Sequence, residues 1–524
     1  MRYALALPRW LRHPLEHTAA VRMIREGIEQ REERFLTTLA RGVYGDARSP
    51  FRQLLLTAGV ESGDAAALVR ERGVEGALAK LYEFGVYLTS EEAKGVRAVE
   101  RAGIDRRLAA ADLENPLRAP GPRVSSIGTG GTIRRAALNL ADFEHAAAYT
   151  SLFSAAFDLA HRPSVLWRPT PPGRAGLSHL LQLAKLGRTV DAWYTQNALD
   201  RATAKERALT RYTLFAVDRA GFAAPRPQHV PLEHADAIAE RLASHVRAGT
   251  PAEVNAPASA AVRICLSAAE RGHDISGTFF RVGGEPFTPA KAAVFDQAGC
   301  RAVCHYTMSE IGRIGNGCAS GRGLDDVHVS LDRFAVIQPE LRRGPGGALV
   351  RAFHHTTVTL SSRMLVINLE SGDYGEVEER ECDCLLGQLG LSVHLHAIRS
   401  YDKLTSEGMN FLRSDLVRLI EEVLPARFGG GPTDYQLVED EEDGLPKVAV
   451  VVAPGVGPVD DGEVVRTVLE ALAAGAPQNR MMAGIWRDGR TVRVLRRTPY
   501  ATGAGKVQPL HVLAPRAHVP AASR

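Results

Sequence analysis

Over roughly the first 115 residues, apolar positions recur three and four apart, which predicts helices. Ala19 to Leu39 and Ala65 to Phe84 are two of them, and Arg48-Ser49-Pro50 is a break between such segments. The cluster Ala119-Pro120-Gly121-Pro122 ends this stretch. From there to about residue 400, glycine-rich loops alternate with short apolar runs and helical segments, the pattern of mixed α/β layers. A third pattern begins near Tyr401. It predicts a helix (Asp415 to Leu424), a strand (Tyr435 to Val438), a second apolar strand (Val448 to Val452), a helix (Glu463 to Leu472) and a strand (Val492 to Leu495). Glu439-Asp440-Glu441-Glu442-Asp443-Gly444 lies between two of these strands and reads as a solvated hairpin turn. There is no internal repeat, and the Ala/Pro-rich tail after Leu513 is expected to fray.

Length and composition narrow the class. A chain of 524 residues holds about three domains on average. With 45% hydrophobic and 24% charged residues it is neither disordered, collagen-like nor a disulfide-dense mini-protein. The 64 basic residues nearly balance the 60 acidic ones, which implies no nucleic-acid and no membrane partner. Only 8 of the basic residues are lysine, so a lysine in a glycine-rich loop stands out. Six cysteines are too few for a secreted framework. The apolar stretch in Met1 to Trp10 is too short for a signal peptide, and no run approaches a membrane span, so the cytoplasm is the expected location.

Six stretches could carry chemistry. The first is Ser125-Ser126-Ile127-Gly128-Thr129-Gly130-Gly131-Thr132, followed by two arginines. Its small residues let a backbone approach a ligand, and its N–H groups can form an anion nest. It lacks the Gly-Lys-Ser/Thr ending of a Walker loop. The others are Arg281-Val282-Gly283-Gly284-Glu285-Pro286, Tyr306-Thr307-Met308-Ser309-Glu310, Glu370-Ser371-Gly372-Asp373-Tyr374-Gly375, Arg399-Ser400-Tyr401-Asp402-Lys403 and Thr502-Gly503-Ala504-Gly505-Lys506. Singly, each reads equally as a turn, a hairpin or an exposed ion pair.

In this order and spacing they resemble the adenylate-forming superfamily of acyl- and aryl-CoA ligases and adenylation domains. Within it they look most like the phenylacetate–CoA ligase-like branch, and more loosely like acyl-protein synthetases. The resemblance runs from about residue 120 to 510. It implies an α/β fold with a large N-terminal domain of mixed sheets and helices and a small mobile α+β C-terminal domain. Residues 1–118 would be the helical N-terminal part, 119–401 the nucleotide- and acid-binding core, and 402–524 the small domain carrying the catalytic lysine.

The resemblance further implies ATP-dependent, AMP-forming activation of a carboxylic acid, with Ser125, Ser126, Gly128, Thr129, Gly130, Gly131 and Thr132 around the phosphates. Gly283, Gly284 and Glu285 would line the adenine pocket, Tyr306 would stack on the base, and Ser309 would belong to the same ATP site. Asp373 would accept the ribose hydroxyls, Glu310 would hold Mg²⁺, Arg399 would bind the ribose or phosphate edge, and Lys506 would stabilise the transition state. Asp402 would be the hinge that swings Lys506 in and out. Three positions depart from the family pattern: Ile127 with Gly128, Thr307 and Tyr401. An isoleucine resists positive φ, which bears on how tightly that loop can cradle phosphate.

Cys318, His328, Cys382 and Cys384 make a Cys₃His set, the composition of a closed structural zinc site, with free buried thiols as the alternative. Cys265, Cys300 and Cys304 read as core, although the spacing of the last two would also suit a metal on a helix. Trp167, Trp193, Tyr194, Phe279 and Phe280 are either core aromatics or the wall of a pocket for an aryl or fatty acid. Coenzyme A is the default acceptor. A carrier-protein thiol, an amine or another nucleophile would need no change in these motifs, and a homodimer is compatible with them. The other classes are a silent nucleotide-binding relative and a zinc-held structural module.

Overall fold

Ser164–Trp167, Ala192–Thr195, Glu253–Ala256 and Phe279–Gly283 are buried at every position and pair as parallel strands. Strands covered on both faces need apolar residues at nearly every position, so these runs do not alternate. Gln228–His229 and Arg301–Met308 complete the parallel half at its two ends. From Arg301–Met308 the same sheet continues antiparallel through Gly312–Gly317, Val327–Val329, Val393–Ser400, Leu369–Glu379, Leu349–Thr357 and Phe334–Ile337. The result is a mixed α/β fold on one large sheet. Helix Ala258–Arg271 packs on Glu253–Ala256 and Phe279–Gly283, and helix Leu140–Ala156 packs on Gly312–Gly317 and on helix Ala175–Lys185.

This computed structural model describes residues 2–101, 103–118, 123–125, 135–171, 173–197, 199, 202–308, 310–339, 341–343, 349–400, 403–406, 409–412, 416, 418–431, 434–474, 477–500 and 510–512.

The N-terminal region is helical, with breaks that the periodicity does not announce. The helix expected from Ala19 to Leu39 divides at Gln30 into His17–Glu29 and Arg31–Thr37, then widens into a π-helical turn, Thr38–Tyr44. The next long helix, Ser62–Glu83, opens with a reciprocal Glu61/Asp64 cap and bends at Gly73, whose φ of 68° suits glycine. The Asn368 amide fastens this region to the antiparallel half by donating to the carbonyls of Leu78 and Val86 (2.9 and 3.1 Å).

Near the C-terminus a separate four-stranded sheet runs Val492–Arg496, Leu445–Val452, Tyr435–Glu442 and Leu510–Val512. Helices Asp461–Ala473 and Pro477–Asp488 accompany it, and the apolar pattern predicted only the first. The acidic run differs from expectation: Glu439 to Glu442 continue the strand, and Asp443-Gly444 alone turns, both at positive φ. The charges are tolerated in the strand because they have partners. Arg493 donates to Asp440 at 2.8 Å and lies 3.5 Å from Glu442, and the Thr288 hydroxyl meets Glu441 at 2.8 Å. Where the helix Asp415 to Leu424 is expected, Leu419–Val423 is π-helical and Leu424–Phe428 is α-helical.

Candidate functional site

A cleft of about 290 Å³ opens along the carboxyl ends of the parallel strands. Each strand delivers residues just past its end: Arg168 after Ser164–Trp167, Gln196 after Ala192–Thr195, Pro257 after Glu253–Ala256, and Gly284 after Phe279–Gly283. In open α/β sheets this edge is where ligands bind, because the loops there vary without disturbing the sheet. Gly283 has a specific reason to be glycine. A Cβ there would lie 2.7 Å from the His305 carbonyl and 2.8 Å from its ring, so the two strands could not approach as they do.

Several residues expected around a nucleotide meet at one end of this cleft: Gly283, Gly284, Tyr306, Asp373 and Arg399. They come from four strands or strand ends far apart in sequence. The Tyr306 hydroxyl donates to Asp373 Oδ2 (2.8 Å), and the Ser400 hydroxyl donates to Oδ1 of the same carboxylate. Burial, and then the neighbouring Asp373 charge, push the Tyr306 hydroxyl well above its usual range, so it stays a donor. Arg399 is held by Asp325 (3.1 Å) and by the Ile398 carbonyl (2.7 Å).

Glu285 borders the cleft while its carboxylate accepts from the Ser259 hydroxyl (2.7 Å) and faces Lys291 (3.6 Å). Glu310 is buried, two residues beyond Met308 of the cleft wall, and its carbonyl accepts from Arg363. Ser125 ends the short strand Arg123–Ser125. Ser126, Gly128, Thr129, Gly130, Gly131, Thr132, Ser309, Asp402 and Lys506 lie outside the described residues.

The cleft also has a basic border, and the sequence did not single it out. Helix Ala175–Lys185 presents Ala175, Ser178, His179 and Gln182 to it, the three- and four-residue spacing of one helical face. Arg168 donates to the Asn255 side chain (2.6 Å) and the Ala256 carbonyl (2.8 Å). Arg313 donates to Thr150 (3.2 Å) and Gln182 (2.9 Å), and Arg281 reaches the same Thr150 hydroxyl (3.3 Å). Burial lowers Arg168 to about 9 and Arg281 to about 10. It also drives His179 well below its usual range, with Arg281 and Arg313 adding repulsion. The aromatic residues on the cleft border are Tyr306 and Phe287, not the five the sequence offered. Trp167, Trp193, Tyr194, Phe279 and Phe280 are all buried core residues, and none borders the cleft.

Behind the antiparallel strands, Cys318, His328, Cys382 and Cys384 converge, their ligand atoms all within 4.8 Å of one another. Cys318 Sγ lies 3.5 Å from Cys382 Sγ and 3.9 Å from Cys384 Sγ. His328 Nε2 lies 3.2 Å from Cys318 Sγ and 3.0 Å from Cys384 Sγ. A tetrahedral ion with Zn–S bonds of about 2.3 Å sets its sulfurs roughly 3.7 Å apart, so the donor set fits zinc. His328 Nδ1 donates to the Leu391 carbonyl (2.7 Å), which leaves Nε2 facing the sulfurs. Cys382 and Cys384 sit on a tight knuckle: a Cβ on Gly387 would lie 2.0 Å from the Cys382 carbonyl. Cys300 and Cys304 are not on a helix. The Cys300 thiol meets the Ile275 carbonyl, and Cys304 lies in a strand.

No family model matches the chain, and no curated protein matches it. Among solved structures it is similar to 2-hydroxyisobutyryl-CoA ligase in complex with 2-HIB-AMP and CoA, at 14% identity and a TM-score of 0.49, over 96% of this chain and 91% of that one. It is similar to McyG A-PCP complexed with phenylalanyl-adenylate, at 13% identity and a TM-score of 0.33, over 78% and 59%. It is also similar to an acyl-CoA synthetase (AMP-forming)/AMP-acid ligase II-like protein from Dyadobacter fermentans, at 13% identity and a TM-score of 0.27, over 74% and 87%.

Proposed function

We propose that this chain is an adenylate-forming ligase that activates a carboxylic acid with ATP. One carboxylate oxygen attacks the α-phosphorus. The bond from that phosphorus to the oxygen bridging to the β-phosphate breaks, its electron pair leaves with pyrophosphate, and an acyl-adenylate remains. The observation that carries the reading is the convergence of Gly283, Tyr306, Asp373 and Arg399 in one cleft at the carboxyl edge of the parallel strands.

Asp373 is suited to ribose because it already accepts from two hydroxyls, Tyr306 and Ser400, which a pair of ribose hydroxyls would replace or join. Tyr306 would then offer its ring to the base. Arg399, oriented by Asp325, would meet the ribose or phosphate edge. A carboxylate is the donor that a hard cation takes, and Glu310 would hold Mg²⁺ close to Met308 of the wall. When bound, Mg²⁺ supplies charge neutralisation at the phosphates. Lys506 would meet the developing charge at the α-phosphate, carried there by rotation of residues 402–524 about Asp402.

In the second half-reaction the thiolate sulfur of coenzyme A would attack the acyl carbon. AMP would leave with the electron pair of the C–O bond, and the thiol proton would pass to solvent. The Cys318–His328–Cys382–Cys384 set would hold one structural Zn²⁺, since four protein ligands leave no position open to substrate. No helix among the described residues is long and apolar enough to cross a membrane.

The test is ATP–pyrophosphate exchange over a panel of aliphatic, aryl and amino acids, then thioester formation on adding coenzyme A. Acid-dependent exchange is expected. A panel without any exchange overturns the adenylation reading, and exchange without thioester overturns only the acceptor.

A further inference from the structure

We infer that the acid activated in this cleft carries a second anionic group, which the arginine-lined end binds. The inference rests on the adenylation reading and concerns its substrate class. A simple alkyl or aryl acid needs an apolar wall beyond its carboxylate. Here Arg168, Arg313, His179, Gln196 and Asn255 border the cleft beside apolar residues that include Pro257, Phe287 and Met308, so part of the wall is charged and polar.

Among the described residues, none of Arg168, Arg281 and Arg313 forms an ion pair with a carboxylate. The nearby acids already have partners: Glu253 pairs with Arg188 at 3.0 Å, and Glu285 faces Lys291. Burying a guanidinium group costs several kcal/mol, and the Glu285 and Glu253 charges, beyond ion-pair distance, offset that only in part for Arg168 and Arg281. Burial is the first cause of the lowered titration of Arg168, Arg281 and His179, and for His179 the surrounding arginine charges add to it.

Two further observations point to a ligand. Gln196 is 3% exposed and borders the cleft, yet neither its amide nitrogen nor its oxygen has a hydrogen-bond partner. Helix Ala175–Lys185, 11 residues long, lies along the cleft wall, and Arg174 just before it adds a further guanidinium to the same border. Arg281 stands behind, over the Phe153 ring at 4.4 Å, and shares Thr150 with Arg313, so it reinforces the charge. The shared chemistry is a carboxylate, phosphonate or sulfonate at the far end of the acid, accepting from Arg168, Arg313 and the Gln196 amide.

The experiment compares matched acids in pyrophosphate exchange: butyrate with succinate, glutarate and 3-phosphonopropionate, and benzoate with isophthalate and 3-sulfobenzoate. The dianionic member of at least one pair should exceed its partner about ten-fold or more in kcat/KM, and the carboxylate, phosphonate and sulfonate arms identify the anion. Arg313→Gln should abolish that preference while leaving the KM for ATP unchanged. Gln196→Ala, a milder change, should weaken it several-fold, and the same dianions should raise the melting temperature without ATP. Exchange that favours the monoacids overturns the inference and leaves adenylation standing. A raised KM for ATP in Arg313→Gln also overturns it, because the basic end would then serve the triphosphate. A panel without any exchange removes both.

Discussion

Asp325 and Asp326 are consecutive in the chain, yet they serve different neighbourhoods. The Asp325 carboxylate accepts from the backbone N–H groups of Ala397 and Ile398, both at 2.8 Å, and holds Arg399 at the cleft border. The Asp326 carboxylate meets His394 (2.7 Å) and Arg380, while its carbonyl accepts from the Cys318 N–H (3.0 Å). One dipeptide thus joins the cleft to the cysteine cluster. A metal that fixes Cys318 would steady the strand carrying Arg399 without touching the ligand.

Elemental analysis of protein purified without added metal should therefore find one Zn²⁺ per chain. Cys382→Ser should lower the melting temperature first and activity second, since the binding energy of a structural zinc is largely folding energy. In a chain this long that unfolds as one unit, each kcal/mol lost moves the midpoint by only ~1 °C. Unchanged metal content and stability in the variant would leave the four side chains as mere packing.

That Gly283, Gly284, Tyr306, Asp373 and Arg399 belong to one site was legible in the sequence, and they do border one cleft. Glycine pairs, an isolated tyrosine and a Gly-Asp turn are rare enough that their order told more than any one of them. The four metal-type ligands were legible for the same reason, since only six cysteines occur in the chain. The basic end was not. Arg168, Arg281 and Arg313 are three arginines in a chain whose basic residues are nearly all arginine, so their type carried no signal. Their meaning lies in a register that brings strand ends together, and no local pattern encodes it. Of the two readings of the aromatic candidates the core one holds, for a physical reason: large apolar rings such as Trp167 and Phe280 gain most by full burial. The strand Tyr435–Glu442 was read four residues short because its solvent end is charged and those charges find partners only in the folded chain.

Replacing Asp373 separates binding from chemistry. Asp373→Ala removes the acceptor that Tyr306 and Ser400 share, and with it the proposed ribose contact. The KM for ATP should rise ten-fold or more, about 1.4 kcal/mol or above, with a smaller change in kcat. Isothermal titration with a non-hydrolysable ATP analogue checks it, and an unaltered affinity would sink the ribose assignment.

Stability should depend on pH through His179. Its folded-state pKa lies well below the ordinary histidine value of about 6.5, through burial first and then the surrounding Arg281, Arg313, Arg168 and Arg188 charges. Below pH 6.5 the unfolded chain takes up a proton that the folded chain refuses. Its contribution is therefore fully present above that pH and is lost as pH falls, by at most about 1.4 kcal/mol per pH unit. Melting curves from pH 7.5 to 5.5 should decline less steeply for His179→Gln than for the parent chain. Parallel curves would remove His179 as the source.

Lys506 tests the chemical step itself. A group that meets charge only as the α-phosphate is attacked contributes to the transition state and little to the ground state. Lys506→Ala should then slow pyrophosphate exchange by two to four orders of magnitude, roughly 3–5 kcal/mol, while ATP affinity stays within about two-fold. Lys506→Arg is the informative companion. Arginine keeps the charge but spreads it over a planar fork, so it should recover little of the rate. If the domain also turns about Asp402, the thioester half-reaction from pre-formed acyl-adenylate should run near the parental rate in Lys506→Ala, because the lysine would then be away from the site. Equal loss in both half-reactions would mean that Lys506 holds the domain's structure, and the catalytic assignment would fall.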